Sequence, residues 1–164
     1  MLFIFCMGEI LLSSMSSIRK LIGTVPIFMP AAGIILYKDG KILLQKRGDN
    51  GKWASHGGAM ELGETTEETA IREVKEEIGI IPETLDFYGV FSGKPMYHVY
   101  PDGNEVYIIC TVYFCDKYTG NFEIDNNEVL QIEWFDINRL PNNIAPIDSF
   151  ILQNLHTFVE KKYK

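Results

Sequence analysis

The glutamate-rich stretch at residues 58–80, GAMELGETTEETAIREVKEEIGI, constrains the fold of this chain more than any other feature. Thr65 and Glu68 have the spacing of a capping box, in which each side chain hydrogen-bonds to the backbone of the other residue. Good helix formers follow, and Gly79 stands where a helix ends. The stretch therefore predicts a helix over residues 65–78 with a defined start and a defined end.

Three glutamates of this helix are predicted to share one side of it. At about 100° per residue, Glu73, Glu76 and Glu77 fall within an arc roughly 100° wide, next to the apolar stripe that faces the core. Like charges three and four residues apart repel each other, and Arg72 can relieve part of that repulsion. Hard divalent cations such as Mg²⁺ or Mn²⁺ would relieve the rest. The alternative is a charged helix face that is simply solvated, which is the commoner role of such a pattern.

The complete pattern resembles the Nudix box, G-x5-E-x7-R-E-U-x-E-E-x-G-U, in which U is a bulky aliphatic residue. The chain matches the box at every defined position: Gly58, Glu64, Arg72, Glu73, Val74, Glu76, Glu77, Gly79 and Ile80. The likeness extends on both sides of the box, from about residue 26 to the C-terminal helix. On these residues the chain is identified as a member of the Nudix superfamily, related to MutT.

The resemblance implies an α/β fold in which a mixed β-sheet is sandwiched between α-helices. Two β-rich runs at residues 31–37 and 41–46 are joined by Lys38-Asp39-Gly40, a hairpin signal. Apolar residues at helical spacing predict one closing amphipathic helix over residues 147–161. Strands mixed with helices in this order agree with the implied fold.

The expected domain organisation is a Nudix domain at residues 25–164 preceded by a helical extension at residues 1–24. The first residues, MLFIFCMGEILL, are apolar but too short to span a bilayer. They also lack the basic start of a signal peptide. Translation that begins at Met7 or Met15 is an open alternative, which would make residues 1–14 an artefact of the assigned start.

The acidity of the chain is concentrated in the box. Of the net charge of −7, the segment at residues 58–80 contributes −5, since it holds seven acids and two bases. A nucleic-acid-binding surface would instead be basic, so we expect no nucleic-acid partner and no membrane partner. Three cysteines, Cys6, Cys110 and Cys115, show no metal-ligand spacing, and this usage fits a reducing cytoplasm.

The resemblance also implies roles for the box residues. Glu73, Glu76 and Glu77 would be metal ligands, joined by the backbone carbonyl of Gly57. Glu64 would lie close by, as an outer ligand or as a residue that orients the ligands. The bound cation would be Mg²⁺ or Mn²⁺.

The remaining catalytic roles are less closely tied to the box. Arg72 would hold a glutamate through a charge-assisted hydrogen bond. The general base would be either a box glutamate or one of two late-loop glutamates, Glu128 and Glu123. Glu128 ranks first of these two because it directly precedes the last predicted strand.

Three residues outside the box are candidates for contact with the substrate. Lys46 and Arg47 close a strand just ahead of the box and could reach a phosphate, although surface solvation accounts for them equally well. Tyr97 lies near a hairpin that could border the substrate.

One departure from the family pattern concerns the residue before the glycine pair. Family members usually carry proline there, and this chain has His56. Without the fixed φ of proline, the turn that presents the Gly57 carbonyl is less rigid. The sequence leaves two consequences open: lower activity, or a titratable donor near the phosphates.

The function implied by the resemblance is metal-dependent hydrolysis of a phosphoanhydride bond. The substrate would be a nucleoside diphosphate linked to another moiety, with ADP-ribose and a (deoxy)nucleoside triphosphate as the leading choices. Pro95 and Tyr97 satisfy the spacing rules of two different subgroups, so they do not decide between substrates. The alternative is a nucleotide-sensing binding module without turnover, and a homodimer is possible in either case.

Overall fold

The computed structural model describes residues 23–100 and 102–164. The helix predicted at residues 1–24 falls outside them except for its last two residues, as does Cys6. Within the described residues no helix has the length and apolar character needed to cross a membrane.

The described residues form ten strands, three α-helices and two short 3₁₀ turns. The strands are β1 (Ile27–Lys38), β2 (Lys41–Arg47), β3 (Trp53–Ala54), β4 (His56–Ala59), β5 (Ile81–Pro82), β6 (Asp86–Phe91), β7 (Tyr97–Val99), β8 (Glu105–Cys115), β9 (Tyr118–Thr119) and β10 (Val129–Asp136). The helices are α1 (Thr66–Ile78), α2 (Pro146–Ile151) and α3 (Leu155–Lys162), and the 3₁₀ turns are Lys94–Met96 and Leu152–Asn154.

A mixed sheet forms the centre of the molecule, with the strand order β10-β2-β1-β8-β6. The β1–β8 pair is parallel, and the other neighbours on this path are antiparallel. One edge of β1 is shared by two partners: residues 36–38 pair with β2, and residues 31–34 pair with β4. The chain from β4 therefore leaves the sheet beside the middle of β1 and leads directly into α1.

Alternate residues of β1 face opposite sides of the sheet, as the period of two in a strand requires. Ala32, Ile34 and Leu36 pack toward α1, whereas Ala31 and Ile35 pack toward α2 and α3. The sheet is thus covered by helices on both faces. This confirms the predicted α/β sandwich.

The helix predicted from the box is present with its predicted ends. Thr65 caps α1, and a reciprocal pair of hydrogen bonds joins it to Glu68 as a capping box. Gly79 ends the helix in a left-handed conformation at φ 78°, which glycine adopts without steric cost. The buried stripe of Ala70, Val74 and Ile78 packs on the sheet, so the helix has the predicted orientation.

The prediction of one continuous closing helix was wrong. The 3₁₀ turn Leu152–Asn154 separates α2 from α3. At this point the carbonyl of Ile151 accepts a hydrogen bond from the Tyr88 hydroxyl at 2.8 Å. The N–H of Leu155 bonds to Leu152 instead, three residues back. The Ile151 carbonyl, which would accept from the Leu155 N–H in a continuous α-helix, is thus bonded to the Tyr88 hydroxyl of β6.

Candidate active site

An open cavity of about 680 Å³ lies beside the box. Its wall combines the glycine pair in β4, the Glu73 and Glu77 side of α1, and the start of α2. Cavities of this size accommodate small-molecule ligands. Arg72, Glu73 and Glu77 of the box therefore line a space large enough for a nucleotide, whereas Glu64 and Glu76 are absent from its wall.

The glycine pair allows three parts of the chain to approach closely. A Cβ atom at Gly57 would lie 2.4 Å from the Ala32 carbonyl oxygen on β1. A Cβ atom at Gly58 would lie 2.5 Å from the carboxyl carbon of Glu73. A side chain at Gly57 would therefore clash with backbone, whereas one at Gly58 would displace the Glu73 carboxylate, which lies directly against the backbone of β4.

Glu73 is a buried carboxylate with one cationic neighbour. The guanidinium of Arg72 donates to Glu73 Oε1 at 2.7 Å. Burial nevertheless raises the pKa of Glu73 to about 7, because loss of hydration outweighs the attraction of Arg72. Additional positive charge near this group would favour its ionised form.

Glu77 lies one turn further along α1 and is buried as well. Gln45 Nε2 donates to Glu77 Oε1 at 2.6 Å, and the Gly57 N–H donates to Glu77 Oε2 at 3.3 Å. His56 Nδ1 lies 3.3 Å from the same Oε2. The carboxylate is therefore held from the side of the sheet by groups of β2 and β4.

Glu76 differs from its two neighbours. Its side chain is 39% exposed, although the helical arc groups it with Glu73 and Glu77. It lies on the edge of the arc farthest from the core, and Arg72 donates to it at 3.2 Å. Arg72 thus connects the exposed member of the set to a buried one.

Glu64 is the main partner of Arg72. Its carboxylate accepts from Arg72 Nε at 2.6 Å and from Nη2 at 2.9 Å, and it also accepts from the Thr69 hydroxyl and the Glu61 N–H. The hydrogen bonds from Arg72 lower the pKa of Glu64 to about 2. Through these hydrogen bonds, the Glu64 carboxylate fixes the Arg72 guanidinium and contacts Thr69 in the first turn of α1.

We expect the contribution of Glu64 to stability to disappear in acid. Because its pKa is depressed on folding, the stabilisation is present above the ordinary value of 4.5 and is lost as the pH falls toward about 2. Glu64→Gln should destabilise the protein at neutral pH by on the order of 1–3 kcal/mol. Denaturant unfolding of both proteins between pH 7 and pH 3 measures this difference. A gap that stays constant over that range would contradict the assignment.

The donor set fits a hard divalent cation. Carboxylates and backbone carbonyls are the ligands that Mg²⁺ and Mn²⁺ prefer. In residues 23–100 and 102–164, no group of three or more acidic, histidine or cysteine side chains is arranged so that it could hold a metal ion. Such cations keep several water molecules and bind substrate phosphates, so an incomplete set of protein ligands agrees with their chemistry. The roles of Glu73, Glu76 and Glu77 as metal ligands therefore stay predictions.

The two late-loop glutamates occupy different places. Glu128 lines the cavity, and burial followed by the nearby Glu77 charge raises its pKa. Glu123 is absent from the cavity wall, and its backbone N–H instead bonds to the carbonyl of Ile78 at the end of α1. Only Glu128 of this pair is placed to act on a bound ligand.

The three residues predicted to contact the substrate differ in their position relative to the cavity. Arg47 and Tyr97 line the cavity, whereas Lys46 does not. Arg47 pairs with Asp49 at 2.9 Å, and the Tyr97 hydroxyl donates to Glu105. Contact between either side chain and a ligand would compete with these existing partners.

Three residues that line the cavity were not predicted from the sequence: Gln45, Ser55 and Asp148. Asp148, on α2, is buried at the cavity and accepts from the backbone N–H of Ser55 at 2.7 Å and from its hydroxyl. Burial raises the pKa of Asp148 against these hydrogen bonds. Gln45 had no clear signal, because in the strand KILLQKR it begins a polar run that continues with Lys46 and Arg47. Asp148 had none, since its position depends on how α2 packs.

Comparison with known proteins identifies relatives of this chain. The family model described as the NUDIX domain matches residues 27–155. An ADP-ribose pyrophosphatase from Methanocaldococcus jannaschii is 38% identical over 118 residues, which are 68% of this chain and 65% of that protein. An uncharacterised Nudix hydrolase from Bacillus subtilis is 32% identical over 72% of this chain and 73% of its own length. The match thus spans slightly less than two thirds of the archaeal relative.

The fold is also shared with solved structures. The crystal structure of a MutT Nudix hydrolase from Burkholderia pseudomallei superposes with a TM-score of 0.67 at 24% identity, over 77% of this chain and 96% of that one. This likeness concerns the fold alone. Together with the family model, which matches well over half of the residues, it establishes that the chain belongs to the Nudix family.

Proposed function

We propose that this chain is a divalent-metal-dependent hydrolase that cleaves the phosphoanhydride bond of a nucleoside diphosphate linked to another moiety. One observation carries the proposal: Glu73 and Glu77 lie buried one helical turn apart, beside the glycine pair and at the wall of an open cavity. Buried carboxylates require compensation, and Arg72 compensates only part of this charge.

The metal-binding role falls to Glu73, Glu76 and Glu77, with the carbonyl of Gly57 as a further ligand. When bound, Mg²⁺ or Mn²⁺ lowers the pKa of a coordinated water molecule and neutralises the phosphate oxygens. Glu64 holds Arg72, which in turn orients Glu73 and Glu76. Orienting residues of this kind affect metal affinity and activity nearly as much as the ligands themselves.

Outside the box, the protein must accept a proton and position the phosphates. Glu128 is our candidate for the general base, because its carboxylate lines the cavity and its raised pKa makes it a better proton acceptor. Arg47 and Tyr97 are candidates for substrate contact from the same wall. Lys46 is retained as a candidate only for long-range attraction of the phosphates.

ADP-ribose is our first choice of substrate, and a (deoxy)nucleoside triphosphate is the second. The name of the archaeal relative supports the first choice. We assign the activity to residues 25–164, with residues 1–24 as an extension. The free, buried thiols of Cys110 and Cys115 are compatible with a cytoplasmic location. A homodimer stays a prediction, which sedimentation at micromolar concentration would test.

A panel of nucleotides incubated with Mg²⁺ or Mn²⁺, with products identified by mass, tests the function directly. We expect ADP-ribose to yield AMP and ribose 5-phosphate, and we expect EDTA to abolish turnover. Products from a nucleoside triphosphate alone would select the second substrate choice. Tight nucleotide binding without any product, in either metal, would instead support the alternative of a nucleotide-sensing module.

A further inference from the structure

Buried polar atoms without partners are concentrated around one carboxylate. Within residues 23–100 and 102–164, the buried side-chain nitrogen and oxygen atoms that lack a hydrogen-bond partner are Gln45 Oε1, His56 Nδ1 and His56 Nε2. An unsatisfied buried polar atom costs free energy, so it requires an explanation. Both residues contact Glu77: Gln45 through its Nε2 at 2.6 Å, and His56 through its Nδ1 at 3.3 Å.

These contacts form an arrangement that we call the Glu77 clamp, consisting of the Gln45 and His56 side chains and the Gly57 N–H. An ionised carboxylate offers about four lone-pair sites. Gln45 uses one site on Oε1, while His56 and Gly57 approach Oε2. A site on Oε1 is left for a further electropositive partner. The clamp thus limits the directions in which Glu77 can bind a cation.

His56 acts only through Glu77. Its side chain has 0% exposure, so the ring does not reach a nucleotide in the cavity. The imidazole faces the Glu77 carboxylate of α1, which supports an effect on this carboxylate rather than on a bound phosphate. The proline usual at this position in the family has no side-chain donor and could not make this contact.

We propose that Gln45 and His56 are positioning residues that orient the Glu77 carboxylate for a divalent cation. The proposal rests on the proposed function, in which Glu77 is a metal ligand. The structural basis is that the Gln45 amide on β2 donates to one oxygen of this buried carboxylate, while His56 Nδ1 on β4 lies 3.3 Å from the other.

Binding of Mn²⁺ to the protein without nucleotide, followed by electron paramagnetic resonance, tests this directly. His56→Phe and Gln45→Met each remove a donor with little change in size. We expect each variant to bind Mn²⁺ about tenfold more weakly, in line with the loss of other groups that orient metal ligands. His56→Asn should bind within about threefold of the parent, since Asn Nδ2 occupies nearly the same place as His Nδ1 and donates likewise.

The controls separate positioning from folding. His156→Phe makes the same change on the exposed side chain of α3, which is 55% accessible, and should leave Mn²⁺ binding unchanged. Circular dichroism and Tm report folding separately. If His56→Phe does not fold, the Mn²⁺ affinity of Gln45→Met is compared with that of the parent instead. In turnover assays the Mn²⁺ concentration for half-maximal rate should rise about tenfold, while the nucleotide KM changes less than about twofold.

Each outcome has a distinct meaning. Parent-like Mn²⁺ affinity in both folded variants overturns the positioning role and leaves the proposed function intact. Equal weakening in His56→Asn and His56→Phe also overturns it, because the donor would then be irrelevant. A parent protein that binds no Mn²⁺ either without or with nucleotide overturns the proposed metal-dependent function, and the positioning role fails with it.

Discussion

Replacement of Glu77 by glutamine is expected to lower turnover by about 10²- to 10³-fold, the range found when a single electrostatic contact to a transition state is removed. The substitution keeps the shape of the side chain but removes the negative charge that a divalent cation requires. Glu77 is buried and held by Gln45, so the fold should persist. Steady-state hydrolysis of ADP-ribose at several Mg²⁺ concentrations, combined with circular dichroism, measures both effects.

Glu76→Gln should also lower turnover, with less effect on stability, because Glu76 is more exposed than Glu77. Glu83→Gln is the matched control, since Glu83 is an exposed glutamate beyond the end of α1 and outside the cavity wall. Turnover in this control should equal that of the parent. Unchanged turnover in both box variants would refute the assignment of the site.

Replacement of Gly57 by alanine is expected to cause the largest loss of stability among simple substitutions at the site. Gly57 has a φ of 145°, and the added Cβ would lie 2.4 Å from the Ala32 carbonyl oxygen. The backbone strain and the overpacking should each cost about 1–3 kcal/mol. The combined effect corresponds to a decrease in Tm of roughly 10 °C for a protein of this size.

Gly40→Ala is a control for a positive φ without overpacking. Gly40 also has a positive φ, at 79°, but no atom lies within 4 Å of the position of its Cβ. We expect this control to lose only about 1 kcal/mol, the cost of the left-handed conformation. Calorimetry of both variants provides the comparison. Equal Tm values for the two alanine variants would show that β4 moves away from β1 at little cost.

Local sequence signals predicted much of the fold. The capping box at Thr65, the left-handed glycine at Gly79 and the apolar stripe of α1 depend on residues within a few positions of each other, and all are present in the structure. The hairpin at residues 38–40 is local in the same sense. Such features depend on turn geometry and helical period, which the order of residues determines directly.

The predicted closing helix failed because its continuity depends on a distant residue. Tyr88 on β6 reaches the carbonyl of Ile151, and no residue near Ile151 in the sequence indicates this contact. The three box glutamates are buried to different extents, and the cause is again a contact with a distant part of the chain. The helical period groups Glu73, Glu76 and Glu77, but the position of β4 decides which of them lie beneath neighbouring backbone.

The order of residues alone determined the family, the helix that carries the glutamates and the chemical type of the site, because each follows from spacing along one continuous segment. Only the tertiary structure showed that His56 and Gln45 meet at Glu77 and that Asp148 and Glu128 share a cavity. These contacts join strands, a helix and loops that are far apart in the chain. Their geometry arises from packing around the sheet, and no local pattern encodes it.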